Sequence, residues 1–299
     1  MGIWHDLTVA ILGGDARETE TSHLVADAGA SVTVFGCPPP QRDDVTIADS
    51  PEKALRGARV AIMPVPYNAA DGSLYAPFAA RPIHIRASDL TGMQRDSHLI
   101  IGKADKPLIE AAREAEVTIH EYEHDTELMH LRAPAVAEGA IRVAIEQSPL
   151  TIHDTPIGLL GYGRIGQTLA KLLISMNARV HVFARRADAR AAAYALGAAP
   201  HTLEDIPNVF PELEIVYNSV PTMVLAREEL THLRRGTLVI DLAAPPGGMD
   251  MAAAESFGLK AVWARGLGAS APRTVANSQW IGIDRILRDA LQAPKEDIR

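Results

Sequence analysis

The stretch "PIGLLGYGRIGQTLAKLLISMNARVHVF" leaves its chain few ways to fold. A short apolar run ends in glycines spaced G-x-G-x-x-G, a helical pattern follows, and a second apolar run closes the unit. That order predicts two parallel strands joined by a helix, because parallel neighbours need a crossover and a helix supplies it. Gly161 permits the tight turn, Gly163 lets a pyrophosphate reach the backbone, and Gly166 lets helix and strand pack closely. Arg164 and Ile165 fall in the first turn of the helix, whose N-terminus favours an anion. With a strand before it and a helix after it, the glycine pattern reads as a dinucleotide site.

The end of the second strand selects the dinucleotide. An NAD site places an acid there for the ribose hydroxyls, whereas this chain reads Ala184-Arg185-Arg186. Guanidinium groups at this corner can pair with the adenosine 2′-phosphate, so the expected cofactor is NADP (NADPH). The plainer alternative is two solvated arginines that close a strand. Two later strand ends fall where a nicotinamide ring would lie. Just past one lie Asn218, Ser219, Val220 and Pro221, and just past the other Asp241, Leu242 and Ala243, small or proline-fixed residues that let backbone approach a ring.

The first half repeats the alternation. "LTVAILGGDARETETSHLVADAGASVTVFG" reads strand, turn, helix, strand, and "RVAIMPVP", "HLIIG" and "EVTIHEY" add further strands. The fold class expected is α/β, two Rossmann-like domains with mostly parallel sheets and a C-terminal helix packing back on the first domain. The expected organisation is a substrate domain over 1–132, an interdomain helix over 133–150, the dinucleotide domain over 151–272 and the returning helix over 273–299. The first loop, "GGDARE", lacks the third glycine. Asp15 followed by Glu18 fits a capping box, while Arg17 is a cation at a helix start that could reach a substrate carboxylate. Arg273, before the final helix, is the second such cation, expected to meet a planar diacid from the opposite side of a cleft. Asp15 and Glu138 are the candidates for moving a proton.

Composition excludes other classes. A formal charge of −8 over 299 residues disfavours a nucleic-acid or anionic-membrane surface. The single cysteine, Cys37, permits no intrachain disulfide and sits before three prolines, as a loop residue would. No apolar run approaches the length of a membrane span, and the N-terminal residues carry no leader pattern, so a cytoplasmic, unprocessed protein is expected.

"GGDARE", "GYGRIG", "YNSVPTMVL", "LVIDLAAPPGGMD" and "GLGASAPRTVAN", in this order and spacing, resemble the family of dipicolinate synthase A chains, from a sporulation enzyme of endospore-forming bacteria. The resemblance covers nearly the whole chain. It implies an oxidoreductase of the mother-cell cytoplasm that makes dipicolinate from a dihydrodipicolinate-type intermediate with NADP. It also implies a dicarboxylate substrate, a partner flavoprotein that forms the B subunit, and assembly into an oligomer. One departure is local: the run from Leu131 through Arg132 to Gly139 has a changed start and one residue more than the family's interdomain helix, and Arg132 reads as a local carboxylate contact or, more plainly, as a solvated helix-start charge.

Rival readings are few. "HEYEH" matches the H-E-x-x-H zinc pattern but emerges from a strand-like run, where the two histidines would not share a helical face, so no metal is expected. A 2-hydroxy acid dehydrogenase shares the architecture but needs an imidazole beside the nicotinamide, and "RGLGASAPRTV" has none. A regulatory module that binds NADP without chemistry is the remaining alternative.

Overall fold

The structure, a computed structural model, describes residues 2–65, 68–69, 71–123 and 125–292. His124 of the "HEYEH" run and the charged tail after Pro294, expected to fray, lie outside them. The chain divides into two compact units, residues 1–132 with 271–299, and residues 133–270.

The first unit runs β1 (Thr8–Leu12), α1 (Ala16–Asp27), β2 (Ser31–Phe35), β3 (Val45–Ile47), α2 (Pro51–Leu55), β4 (Val60–Ile62), α3 (Ala87–Leu90), β5 (His98–Ile101), α4 (Lys106–Glu114) and β6 (Thr118–Glu121). Helix α5 (Thr126–Gln147) then carries the chain into the second unit. That unit holds β7 (Pro156–Leu160), α6 (Arg164–Ser175), β8 (Arg179–Phe183), α7 (Ala187–Leu196), β9 (Ala199–His201), α8 (Ile206–Val209), β10 (Ile215–Asn218), α9 (Arg227–Leu230), β11 (Leu238–Asp241), α10 (Met251–Ser256) and β12 (Lys260–Trp263). Helix α11 (Pro272–Gln292) returns to the first unit.

Each unit contains one parallel six-stranded sheet. The orders, β3-β2-β1-β4-β5-β6 and β9-β8-β7-β10-β11-β12, are the same topology written twice. In both, direction reverses beside the first strand, at the switch point where open α/β sheets take ligands. Central strands are apolar on both faces because helices cover both: Val9 to Leu12 and Ile157 to Leu160 are buried. Two strands escape the sequence reading, β3 and β9. Each has three residues at a sheet edge, and Pro200 sits within β9, a position that only an edge tolerates.

Two elements differ from expectation in extent. Helix α5 starts at Thr126 rather than Ala133; the overlooked signal is Asp125, whose Oδ1 accepts the Leu128 N–H at 3.0 Å, and Pro134 lies inside the helix. Arg132 is therefore in mid-helix, paired with Glu123 at 3.1 Å and largely covered, not a solvated helix-start charge. The return of α11 to the first unit is as expected. Ile283 and Leu287 join the core of Trp4, Val9, Ile11 and Val25, and Trp4 Nε1 donates to Asp284 at 2.7 Å.

Cross-strand histidine pairs sit at one sheet edge of each unit. His98 Nδ1 lies 3.1 Å from His120 Nε2, and His181 Nδ1 lies 3.1 Å from His201 Nε2. Burial, together with the neighbouring imidazole, lowers the His98 pKa to about 4, and burial moves the other three down as well. A base with a lowered folded pKa contributes stability that is complete above its unfolded pKa near 6.5 and is lost as pH falls toward the folded value. The histidines therefore pull the urea midpoint down between pH 7 and pH 4.5, so the midpoint of a His98→Gln/His181→Gln variant should rise relative to that of the wild type as the pH is lowered over this interval. Parallel profiles for the two proteins would refute the assignment.

Candidate dinucleotide site and buried charge cluster

In the second unit β7 delivers the chain to the glycine turn. Gly161 has φ +90°, and a Cβ there would lie 2.6 Å from Ser219 Oγ, so the position needs both left-handed backbone and the absence of a side chain. A Cβ on Gly166 would lie 2.4 Å from the Gly161 carbonyl oxygen, which fixes the close approach of helix to turn. Gly163 differs: nothing lies within 4 Å of where its Cβ would be, and it is the N-cap of α6 with no side-chain cap. Open space in front of an uncapped helix N-terminus is what a pyrophosphate requires, so these residues fit a dinucleotide. Arg164 and Ile165 occupy the first turn of α6.

Ala184 is buried just beyond β8, while Arg185 and Arg186 are exposed. Arg186 lies 3.1 Å from Asp188, an acid in the first turn of α7 that the sequence reading overlooked. Asn218 and Asp241 are the last residues of β10 and β11 rather than lying past them. Their side chains are fully engaged inside the protein. Asn218 Nδ2 donates to Asp241 Oδ1 at 2.8 Å, and Asp241 also accepts from the Ala243 N–H at 3.0 Å and the Gly248 N–H at 2.8 Å. Asn218 Oδ1 accepts the Val220 N–H at 3.0 Å, and Ser219 Oγ donates to Leu160 O at 3.0 Å. The loops carrying Val220, Pro221, Leu242 and Ala243 are thus tied to one buried network, and what they can offer a ligand is backbone. Trp263 Nε1 adds a bond to Ala243 O at 2.9 Å.

Glu138 does not join this site. It is exposed, and it lines a groove of about 460 Å³ with Leu172, Ser175 and Met176, toward the C-terminal end of α6. The glycine turn is at the other end of that helix, about 16 Å from Ser175 at 1.5 Å per residue. This corrects its selection for proton transfer.

In the first unit "GGDARE" folds into a buried charge cluster. The expected capping box forms: Asp15 Oδ1 accepts the Arg17 N–H at 3.0 Å, and Glu18 Oε2 accepts the Asp15 N–H at 2.8 Å. Arg17 Nε and Nη2 grip both oxygens of Asp15 at 2.8 and 2.7 Å, a bidentate pair with side chains only 6% and 5% exposed. Tyr75 adds its hydroxyl to Asp15 Oδ2 at 3.2 Å and its ring beneath the guanidinium. Burial pushes the Asp15 carboxyl up, but Arg17 outweighs it and the net pKa is lowered. Glu18 is the reverse. Burial dominates over the attraction of Arg17, and its pKa rises to about 7. Cys37, half-buried nearby, has its thiol pushed up to about 11 by burial, away from the thiolate.

Arg273 is not in the loop before the final helix. It lies in the first turn of α11, in the same unit as Arg17, and is 84% exposed with Glu20 of α1 at 3.5 Å. Pro272 opens that helix, so the residue after it is already helical. Among the described residues no group of three or more His, Cys, Asp and Glu side chains is placed to hold a metal, and no helix is long and apolar enough to cross a membrane.

Fold and glycine turn together define a two-domain chain of the NAD(P)-dependent oxidoreductase class. Residues 129–244 match the NAD binding domain of D-isomer specific 2-hydroxyacid dehydrogenases, and residues 8–123 match the N-terminal domain of the dipicolinate synthase A chain. The dipicolinate synthase A chain of Bacillus subtilis (strain 168) is 28% identical over 274 residues, 90% of this chain and 91% of that protein. The crystal structure of the dipicolinate synthase A chain from Bacillus halodurans is similar with a TM-score of 0.85 at 25% identity, over 98% of this chain and 100% of that one. A transhydrogenase from Sinorhizobium meliloti shares the fold at a TM-score of 0.72 and 14% identity, over 96% of this chain and 95% of that one. The chain is thus similar to dipicolinate synthase A chains over nearly its whole length.

Proposed function

We propose that this protein is the A chain of a dipicolinate synthase, oxidising a dihydrodipicolinate-type intermediate with NADP and working beside a flavoprotein B subunit in the cytoplasm of a sporulating cell. The observation that carries the reading is the pairing, in one chain similar to the A chain, of an open glycine cradle with a separate unit built around "GGDARE". Oxidation of a dihydropyridine dicarboxylate to the pyridine removes one hydride from a ring carbon and one proton, giving dipicolinate, NADPH and a proton. The glycine turn would hold the pyrophosphate and the segments after β10 and β11 the nicotinamide end, and the bound dinucleotide would supply the hydride acceptor. Aromatisation drives the step, so the protein's own work is chiefly to bind two carboxylates and hold the ring. Arg17 is the carboxylate-binding cation in this reading, fixed in direction by Asp15. Arg273, being exposed, is at most a peripheral second cation. Incubating the purified chain with the dihydropyridine diacid and NADP, with and without the flavoprotein, should yield the pyridine chromophore; a chain that binds NADP and never turns over would instead be a sensor.

The cofactor preference has its own test. Each charge-assisted contact to a 2′-phosphate is worth about 1.5–3 kcal/mol, or roughly ten- to hundredfold in affinity. Arg185→Ala/Arg186→Ala should erase a preference for NADP over NAD by weakening NADP alone. Equal losses for both dinucleotides would mean that the arginines only support the fold.

A further inference from the structure

The corner between β8 and α7 holds a third arginine. Arg190, one turn into α7, reaches back so that its Nη1 donates to Ala184 O at 2.8 Å and to Arg185 O at 2.7 Å. Successive carbonyls of an extended chain point to opposite sides; here two in a row turn toward one guanidinium. Each peptide is planar and trans, so the Arg185 N–H lies anti to the Ala184 carbonyl and the Arg186 N–H anti to the Arg185 carbonyl. Both N–H groups therefore point away from Arg190 and are left for a partner on the other side. Arg185 and Arg186 are exposed at this corner, the carboxylates of Glu204 and Asp205 act on Arg190 from its own side, and one further carboxylate, that of Asp188, is paired with Arg186. Its pairing with Arg186, whose side chain is 74% exposed, is the weak kind that a dianion can displace.

We infer that Arg190 is a positioning residue for the adenosine 2′-phosphate of NADP. It holds two carbonyl dipoles back from the phosphate side of the corner and turns two N–H donors toward it. The inference rests on the NADP reading above and adds the residue that makes the two exposed arginines into a shaped site. Without Arg190 the carbonyls lose their shared partner and are free to swing toward the phosphate and repel it, whereas a cofactor lacking the 2′-phosphate is indifferent to the change.

The test is calorimetric titration of the full chain with NADP and with NAD, alongside thermal unfolding. It compares the wild type with Arg190→Met, Arg190→Lys and Arg185→Ala/Arg186→Ala. Arg190→Met should weaken NADP about tenfold while NAD changes by less than about twofold and the unfolding midpoint hardly moves. Arg190→Lys, which can still reach the two carbonyls with one ammonium, should fall between, and it decides the matter if the methionine variant does not fold. NADP affinity unchanged in both Arg190 variants overturns the inference. So does an equal loss for NADP and NAD with a lowered unfolding midpoint, the mark of a merely structural residue. If the wild type shows no preference for NADP, or Arg185→Ala/Arg186→Ala leaves the preference in place, the cofactor reading itself falls. If that double variant responds and the Arg190 variants do not, only the role of Arg190 falls.

Discussion

Asp15→Ala should destabilise the protein by about 3–5 kcal/mol, the usual cost of removing one partner from a buried ion pair. The pair is gripped at two points, and both side chains are almost fully covered. Removing Asp15 leaves a guanidinium that cannot shed its charge, deprives the first turn of α1 of its cap and takes the acceptor from Tyr75. Arg17→Met should behave differently with pH. The stranded Asp15 can take up a proton, so the deficit of that variant should shrink in acid while that of Asp15→Ala persists. Urea unfolding at pH 4.5 and pH 8 distinguishes them. A loss below about 1 kcal/mol for Asp15→Ala would mean that the pair is solvated in solution.

Glu18→Gln is expected to stabilise the protein above neutral pH. Asp15 and Arg17 already cancel, so an ionised Glu18 adds a buried negative charge with no cation of its own. Its folded pKa, about 7, lies above the 4.5 of an ordinary glutamic acid. An acid with a raised folded pKa contributes stability that is full below its unfolded pKa and is lost as pH rises through the folded one. The Glu18 contribution therefore falls by up to about 3 kcal/mol between pH 4.5 and pH 8, at 1.36 kcal/mol per pKa unit, a change that the variant lacks. Glutamine keeps the oxygen that accepts the Asp15 N–H and has nothing to ionise. The two proteins should unfold alike near pH 4 and diverge toward pH 8, with the variant the more stable. A variant less stable at both values would show that Glu18 is held as a carboxylate for its charge.

Glycine spacing and apolar runs carry most of the architecture because both are local signals. A G-x-G-x-x-G after a strand permits one kind of turn, and strands covered on both faces by helices read as unbroken apolar runs. What stayed hidden was non-local or short. Strands β3 and β9 have three residues each and are defined by their neighbours. Arg190 carries no local signal in "ADARAAAY", because its role lies in the bonds that it makes back to the carbonyls of Ala184 and Arg185. Asn218 and Asp241 could be placed at strand ends, but that they serve each other through a hydrogen bond between neighbouring strands is a fact of sheet register. Arg273 and Glu138 were chosen for charge near a junction, and charge alone says nothing of which way a helix face turns.

The repeated strand order allows the two first turns to be laid over one another residue for residue. Both begin one position after the strand, at Gly13 and Gly161, and both open their helix three positions later, at Ala16 and Arg164. On that register Asp15 stands where the other turn has Gly163, and Glu18 where it has Gly166. A carboxylate thus occupies the helix-capping position that the second unit leaves bare, and a Cβ on Gly14 would lie 2.1 Å from Glu18 Oε2. The first unit has, in effect, swallowed its own anion. A phosphate brought to that turn would meet two acids instead of free N–H groups, so the twin fold offers a single berth for a dinucleotide, and its other half is released for different chemistry.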